Sequence, residues 1–338
     1  MPSPRRFLAP RRGVSTPTTR GIPKRASIAA VAVAAAAAVA LAATPAEALS
    51  IGGTISATPS GQVVKLSSGT YAWSNFGSDH IGLNLAGKGG LAGAGTSSTV
   101  LQMNSYSSTY GGIVPTAPGT SNPLYLVAAS GYAKLSGFWL KGTSQGHLYN
   151  GIKISRGTYA SISNVRITGV PGAGYNPPQE TATINDQNGS HDSFSGITED
   201  GQNLAALGFA SNSASNVTVS NSSFVNNKYS AGAAFWQTSN VTLKNVTSKY
   251  NRTGLNFERC SGTITISSPT ILNESNQDLY IGSDQTSAKI TITNPVDSGH
   301  LRIRVPATYR GVANKQRKSD IHVLVNGVDR TSSVVTWI

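Results

Sequence analysis

The chain has 338 residues, 38% of them apolar, and a formal net charge of +13 from 27 basic and 14 acidic residues. That apolar share excludes a disordered polyelectrolyte, and a single cysteine, Cys260, excludes a fold held by intramolecular disulfides. Basic and aromatic residues are not interleaved as a nucleic-acid groove requires, so nucleic acid is not an expected partner.

Residues 1–48 read as an export signal. Seven Arg and Lys precede an apolar run from Ala29 to Ala43, and Ala46-Glu47-Ala48 offers a small-x-small cleavage site. The run is short for a bilayer span and Thr44-Pro45 ends it, so no membrane attachment is expected after cleavage. Arg5-Arg6 and Arg11-Arg12 resemble a twin-arginine address, and the product is expected to be secreted. Without this segment 20 basic residues face 13 acidic ones, so the net charge falls to +7.

Residues 49–300 carry a repeat. VVKLSSGTYAW, Val63 to Trp73, predicts an entry segment that hides the first sheet edge. Gly87 to Gly95 lacks the Gly-Lys-Ser/Thr ending of a phosphate loop and reads as turns. YAKLSGFWLKG from Tyr132 aligns with YASISNVRITG from Tyr159 at an offset of 27. Thirteen residues, Ser215 to Asn227, return at Ser239 to Asn251 and Ser261 to Asn273, at intervals of 24 and 22.

Each copy alternates apolar and polar residues. Val217-x-Val219, Val241-x-Leu243, Ile264-x-Ile266 and Ile290-x-Ile292 predict short strands with one buried face. A second strand set is Ile152-x-Ile154, Leu207-x-Phe209, Ala233-x-Phe235, Leu255-x-Phe257 and Leu279-x-Ile281. Asn227, Asn251 and Asn273, with the pair Asn221 and Asn245, predict asparagines stacked at successive corners, where that side chain tolerates left-handed backbone. Repeats of this length without helical periodicity predict an all-β chain wound as a parallel β-solenoid with capping segments at both ends. Residues 301–338 read as a basic C-terminal β cap, with seven Lys and Arg between Leu301 and Arg330 and a hairpin signal at Asn326-Gly327.

The rung pattern from Gln62 to Val296 resembles the right-handed parallel β-helix of the pectate-lyase-like superfamily, which includes polysaccharide lyases, polygalacturonase-type hydrolases and phage tailspikes. The resemblance implies an elongated β-helix and a polysaccharide partner. The Asn-Thr-Asp, Asp-Asp, Gly-His-Gly and Arg-Ile-Lys motifs of the polygalacturonase type are absent, so no catalytic residue carries over.

Candidate chemistry is sought where the repeat breaks. Val170 to Asn203 reads as an aperiodic inserted loop holding Glu180, Asp186, His191, Asp192, Glu199 and Asp200. Outward positions of the second strand set, Lys153, Gly208, Ala210, Ala234, Trp236, Asn256, Glu258 and Tyr280, predict a shallow trough beneath it. Trp236 offers a flat face for a sugar ring, and Arg156, Gln237 and Arg259 follow at the rim.

Two mechanisms fit such a trough. Hydrolysis would pair Glu199 or Asp200 with Glu258 as acid and base. Elimination beside a uronate would draw on Lys153, Arg156, Arg259 and His191. No cofactor is required, although the spacing Asp186-x-Asn188-x-Ser190-x-Asp192 resembles a calcium loop and nominates Asp186 and Asp192 as Ca²⁺ ligands. The leading expectation is a secreted protein that cleaves an anionic polysaccharide by lyase or hydrolase chemistry. The alternative is a non-catalytic glycan-binding, surface or tail-fibre-like β-helix.

Overall fold

A computed structural model describes residues 51–73, 81–103, 125–142, 150–170, 182–202, 207–297 and 299–338. The expected export signal lies outside them. No helix among the described residues is long and apolar enough to cross a membrane.

Two long sheets run side by side, one of 14 strands and one of ten, and nearly all pairings are parallel. Successive strands of one sheet come from successive coils, so each step along the sheet is one turn of a spiral about 4.8 Å high. The chain is a right-handed parallel β-helix. In the 14-stranded sheet Val217 stands beside Val241, then Ile264, Ile290 and Ile321. In the ten-stranded sheet Ile184 leads to Phe209, Ala233, Leu255, Leu279 and Ile303. All are buried in one continuous core. Phe209 packs on Phe194, Phe224 and Phe235, and Phe235 stacks on Phe257 at 5.2 Å. Each such side chain removed from water contributes roughly 1.5–3 kcal/mol, which supplies what the missing disulfides do not.

Left-handed residues set the corners. Asn164, Asn221 and Asn245 lie at φ 51°, 48° and 52°, and Asn245 Nδ2 donates to Asn221 Oδ1 at 3.0 Å on the surface. A second column is internal: Asn227 N–H donates to Asn251 Oδ1 (2.8 Å) and Asn251 N–H to Glu274 Oε2 (2.6 Å). Glu274, not Asn273, is therefore the third member. Asn273 at φ 59° belongs with Asn226 and Tyr250, one position earlier, where the chain turns left-handed.

Three expectations are corrected. Within Val170 to Asn203, expected as an inserted loop, Ala182–Gln187 and Ser193–Asp200 instead form the two strands of a further coil, while residues 171–181 and 203, Glu180 among them, lie outside the described residues. The coil's period is hidden in the sequence because Asp186, Asp192 and Glu199 are buried among the apolar residues of the core. The strand Leu207–Asn212 sits two residues from the expected register, with Phe209 rather than Leu207 beside Ala233. Leu207 instead joins a small apolar cluster with Ala182, Ala210, Ala231 and Ala234.

Residues 301–338, finally, continue the spiral. Leu301–Arg304, Ile321–Val325 and Val335–Trp337 all pair in parallel with earlier or neighbouring coils. Only the hairpin at Asn326-Gly327, with Leu324 opposite Asp329, closes a sheet edge as expected. At the other end a helix, Ile51–Ala57, packs Ile51 and Ile55 against the core.

Candidate active site on the outer face of the ten-stranded sheet

Alternation along parallel strands places two rows of side chains outward. One row is Lys153, Asn185, Ala210, Ala234, Asn256, Tyr280 and Arg304. The other is Ser155, Gln187, Asn212, Trp236, Glu258 and Gly282. The corner beyond them carries Arg156, Asn188, Ser213, Gln237 and Arg259, all with φ between 51° and 56°. The structure thus brings together Lys153, Trp236, Asn256, Glu258 and Tyr280 on one face, with Arg156, Gln237 and Arg259 along its rim.

The middle of this face is closed rather than open, with Ala210 and Ala234 buried. The open part is a cleft of about 300 Å³ over the later coils, with Tyr229, Arg252, Asn256, Glu258, Tyr280 and Arg304 in its lining. Glu258 is the only Asp or Glu among the lining residues. Its Oε1 accepts from Asn256 Nδ2 at 2.9 Å and its Oε2 from the Tyr309 hydroxyl. Burial, and then the charge of Glu258, pushes the Tyr280 phenol above its ordinary range, so it stays protonated. The Arg304 guanidinium lies 6.0 Å from the Tyr280 ring. Neither Arg252 nor Arg304 has a carboxylate partner among the described residues.

Other nominated residues have different roles. Arg259 is no free carboxylate clamp, since it forks onto Asp284, with Nε donating to Oδ1 at 2.7 Å. Trp236 is half-buried between guanidiniums, Arg310 at 5.5 Å and Arg259 at 5.9 Å from its ring, rather than an open platform. His191 stacks on Tyr159 at 4.8 Å and meets Asn216 at a corner of the spiral. Asp200 Oδ1 accepts from Gln202 N and Asn226 Nδ2, both at 2.9 Å, and shapes a turn.

Glu199 and Glu258 do not form a hydrolytic pair. Glu199 lies inside the spiral, accepting from Thr183 at 3.3 Å and Asn227 at 3.0 Å, and burial raises its pKa to about 8. It abuts Gly208, where an added Cβ would stand 2.9 Å from Oε2. Glu199 belongs to the 14-stranded sheet and points inward, whereas Glu258 stands on the outer face of the ten-stranded sheet, four residues along and two coils on from Gly208, roughly 13 Å and roughly 10 Å from that glycine in the two directions. Inverting hydrolysis needs about 6.5–9.5 Å.

Asp186 and Asp192 do converge, but inside. Asp186 Oδ1 and Asp192 Oδ2 are buried with no donor, and both abut Gly189, where a Cβ would lie 2.3 and 2.4 Å from them. Their other oxygens accept from Ser211 and from Ala160 N–H. Alone these two oxygens are fewer than the six to eight that Ca²⁺ takes. Burial, then the charge of Asp192, holds the Asp186 carboxyl well above its usual range. No group of three or more His, Cys, Asp or Glu positioned to hold a metal occurs among the described residues.

Sequence reasoning missed Arg252, Arg304, Tyr309 and Arg310. Arg304 was legible as an outward position once Leu301–Arg304 is recognised as a further coil. Tyr309 comes from an irregular excursion 51 residues beyond Glu258, and no local pattern marks it.

No family model and no curated protein matches the chain. Among solved structures it is similar to a polygalacturonase from Erwinia carotovora subsp. carotovora, at 11% identity over 84% of this chain and 89% of that one, TM-score 0.48. It is also similar to the catalytic unit of an α-1,3-glucanase from Streptomyces thermodiastaticus, at 14% identity over 83% and 68%, TM-score 0.45. A third is the A-module of a mannuronan C-5 epimerase from Azotobacter vinelandii, at 13% identity over 82% and 90%, TM-score 0.42. The strand pairing itself defines the class: a right-handed parallel β-helix.

Proposed function

We propose that the protein binds an anionic polysaccharide in the cleft between Tyr229 and Arg304 and cleaves it by elimination. The observation that carries this reading is the pairing of two guanidiniums without carboxylate partners among the described residues, Arg252 and Arg304, with the one carboxylate in the cleft lining, Glu258. Arg252 and Arg304 neutralise a uronate carboxylate, which acidifies the adjacent C–H. Glu258 takes that proton, the electron pair forms a C=C bond, and the C–O bond to the next sugar breaks. Tyr280 is protonated and supplies the proton to the departing oxygen. Hydrolysis is the weaker chemistry because the cleft lining offers one carboxylate where that reaction uses two. An export signal at residues 1–48 suits a substrate outside the cell.

A second reading, glycan binding without cleavage, is favoured by one feature: both oxygens of Glu258 are already engaged, by Asn256 and Tyr309. A panel of uronate-containing and neutral polysaccharides separates the readings. Ultraviolet absorbance from an unsaturated product supports elimination, and new reducing ends without it indicate hydrolysis. Retained binding with neither signal supports the second reading, and absence of binding to every polymer overturns both.

A further inference from the structure

The chain leaves the spiral after Arg304 and returns at Arg317, and the excursion lies back across the outer face beside the cleft. Thr308–Tyr309 and Val312–Ala313 pair as a short antiparallel ribbon. Asn314 fastens its base: Oδ1 accepts from Ser283 N–H at 2.8 Å and Nδ2 donates to Pro306 O at 2.8 Å. Tyr309 is buried and wedged over Gly282, where a Cβ would stand 2.5 Å from its Cδ2. Any residue larger than glycine at 282 would displace the ring. The Tyr309 hydroxyl reaches Glu258, and Arg310 Nε donates to that same phenol oxygen at 3.1 Å. Arg310 also covers Trp236. The excursion is therefore a fixed prop behind the one carboxylate that lines the cleft, and its own residues stand outside that lining.

This prop resolves a conflict in the site. An anionic chain entering the cleft meets Arg252 and Arg304 but also the like charge of Glu258, and like charges at close range cost affinity. Donors on both carboxylate oxygens and a guanidinium bonded to one of those donors offset that charge. We propose, on the reading of the cleft as an anionic-glycan site, that Tyr309 and Arg310 determine its specificity by screening Glu258 from the incoming polyanion. They act through Glu258 and are positioning residues.

The test is a double-mutant comparison with two forms of one polymer, polygalacturonate and its methyl ester, measured by titration calorimetry. Tyr309→Phe keeps the ring over Gly282 and removes only the hydroxyl, and Arg310→Gln removes the guanidinium, with its charge and its bond to the Tyr309 oxygen. Each is expected to weaken polygalacturonate binding about tenfold and to leave the methyl ester within about twofold. Glu258→Gln is expected to tighten polygalacturonate binding, and Tyr309→Phe added to it is expected to change nothing more. Equal losses for both polymers, or a Tyr309→Phe effect that persists beside Glu258→Gln, would show a merely structural prop and overturn the inference. If wild-type protein binds neither form nor alginate nor dextran sulfate, the functional reading fails and takes this inference with it. If Arg252→Ala weakens binding while Tyr309→Phe and Arg310→Gln do not, only this inference falls.

Discussion

Asn227 and Asn251 are joined twice across one coil, Asn251 Oδ1 accepting both the backbone N–H (2.8 Å) and the side-chain amide (3.0 Å) of Asn227. Asn251 passes the contact on to Glu274 and Ser248, so a polar column runs inside the spiral beside the apolar one. Removing the amide from Asn251 would leave a buried N–H of Asn227 without a partner. Asn251→Ala is expected to destabilise by about 1–3 kcal/mol. Asn245→Gly, in the exposed ladder, keeps a residue that accepts φ 52° and should cost no more than about 0.5 kcal/mol. Urea denaturation of both variants checks the contrast.

The glycine at 232 makes room for that column. A Cβ there would stand 2.5 Å from Ser248 Oγ and 2.8 Å from Asn251 Nδ2. Gly232→Ala should therefore lower the melting temperature by an amount corresponding to about 1–3 kcal/mol, whereas Gly311→Ala meets no atom within 4 Å and suffers only backbone strain at φ 78°. Calorimetric melting of the two proteins separates overpacking from strain.

Buried acids give the fold a pH dependence of definite sign. Glu199 is raised from 4.5 to about 8 by burial, and burial also raises Glu274. A raised carboxyl keeps its proton in the fold while the unfolded chain releases it, so the stabilisation is complete below about pH 4.5 and declines as pH rises toward 8. The melting temperature should be higher at pH 5 than at pH 8.5, and Glu199→Gln should flatten that slope. A melting temperature that climbs over this interval would contradict the assignment of Glu199 as a neutral interior acid.

Cys260 is a small core filler whose thiol burial pushes up to about 12. It should react with a thiol reagent at neutral pH only at the rate of unfolding. Reaction that is rapid in the native protein and complete before the loss of circular dichroism would show the coil around Phe235 and Glu258 to be open.

The repeats were legible because inward positions of parallel strands must agree from coil to coil. Val217, Val241 and Ile264 could be aligned from their spacing alone, as could Trp236 with Glu258 and Asn256 with Tyr280. The coil at Ala182–Asp200 escaped because Asp186, Asp192 and Glu199 are buried, and an acidic residue reads as exposed unless its partners are known. Those partners, Ser211, Ala160 and Asn227, lie 25 to 32 residues away. The outward face of the trough was legible as a set of residues. The partners of Glu258 and Trp236 were not, because Tyr309 and Arg310 arrive from outside the repeat.

The account rests on the cleft as a site for polyanions, and the affinity of polygalacturonate for wild type and the Arg252→Ala, Arg304→Ala double variant tests it most directly. Each guanidinium should contribute a charge-assisted contact worth roughly 1.5–3 kcal/mol. The double variant should therefore lose at least about a hundredfold in affinity, and wild-type binding should weaken as salt is raised while melting temperatures stay together. Equal affinity in the two proteins, insensitive to salt, would contradict it.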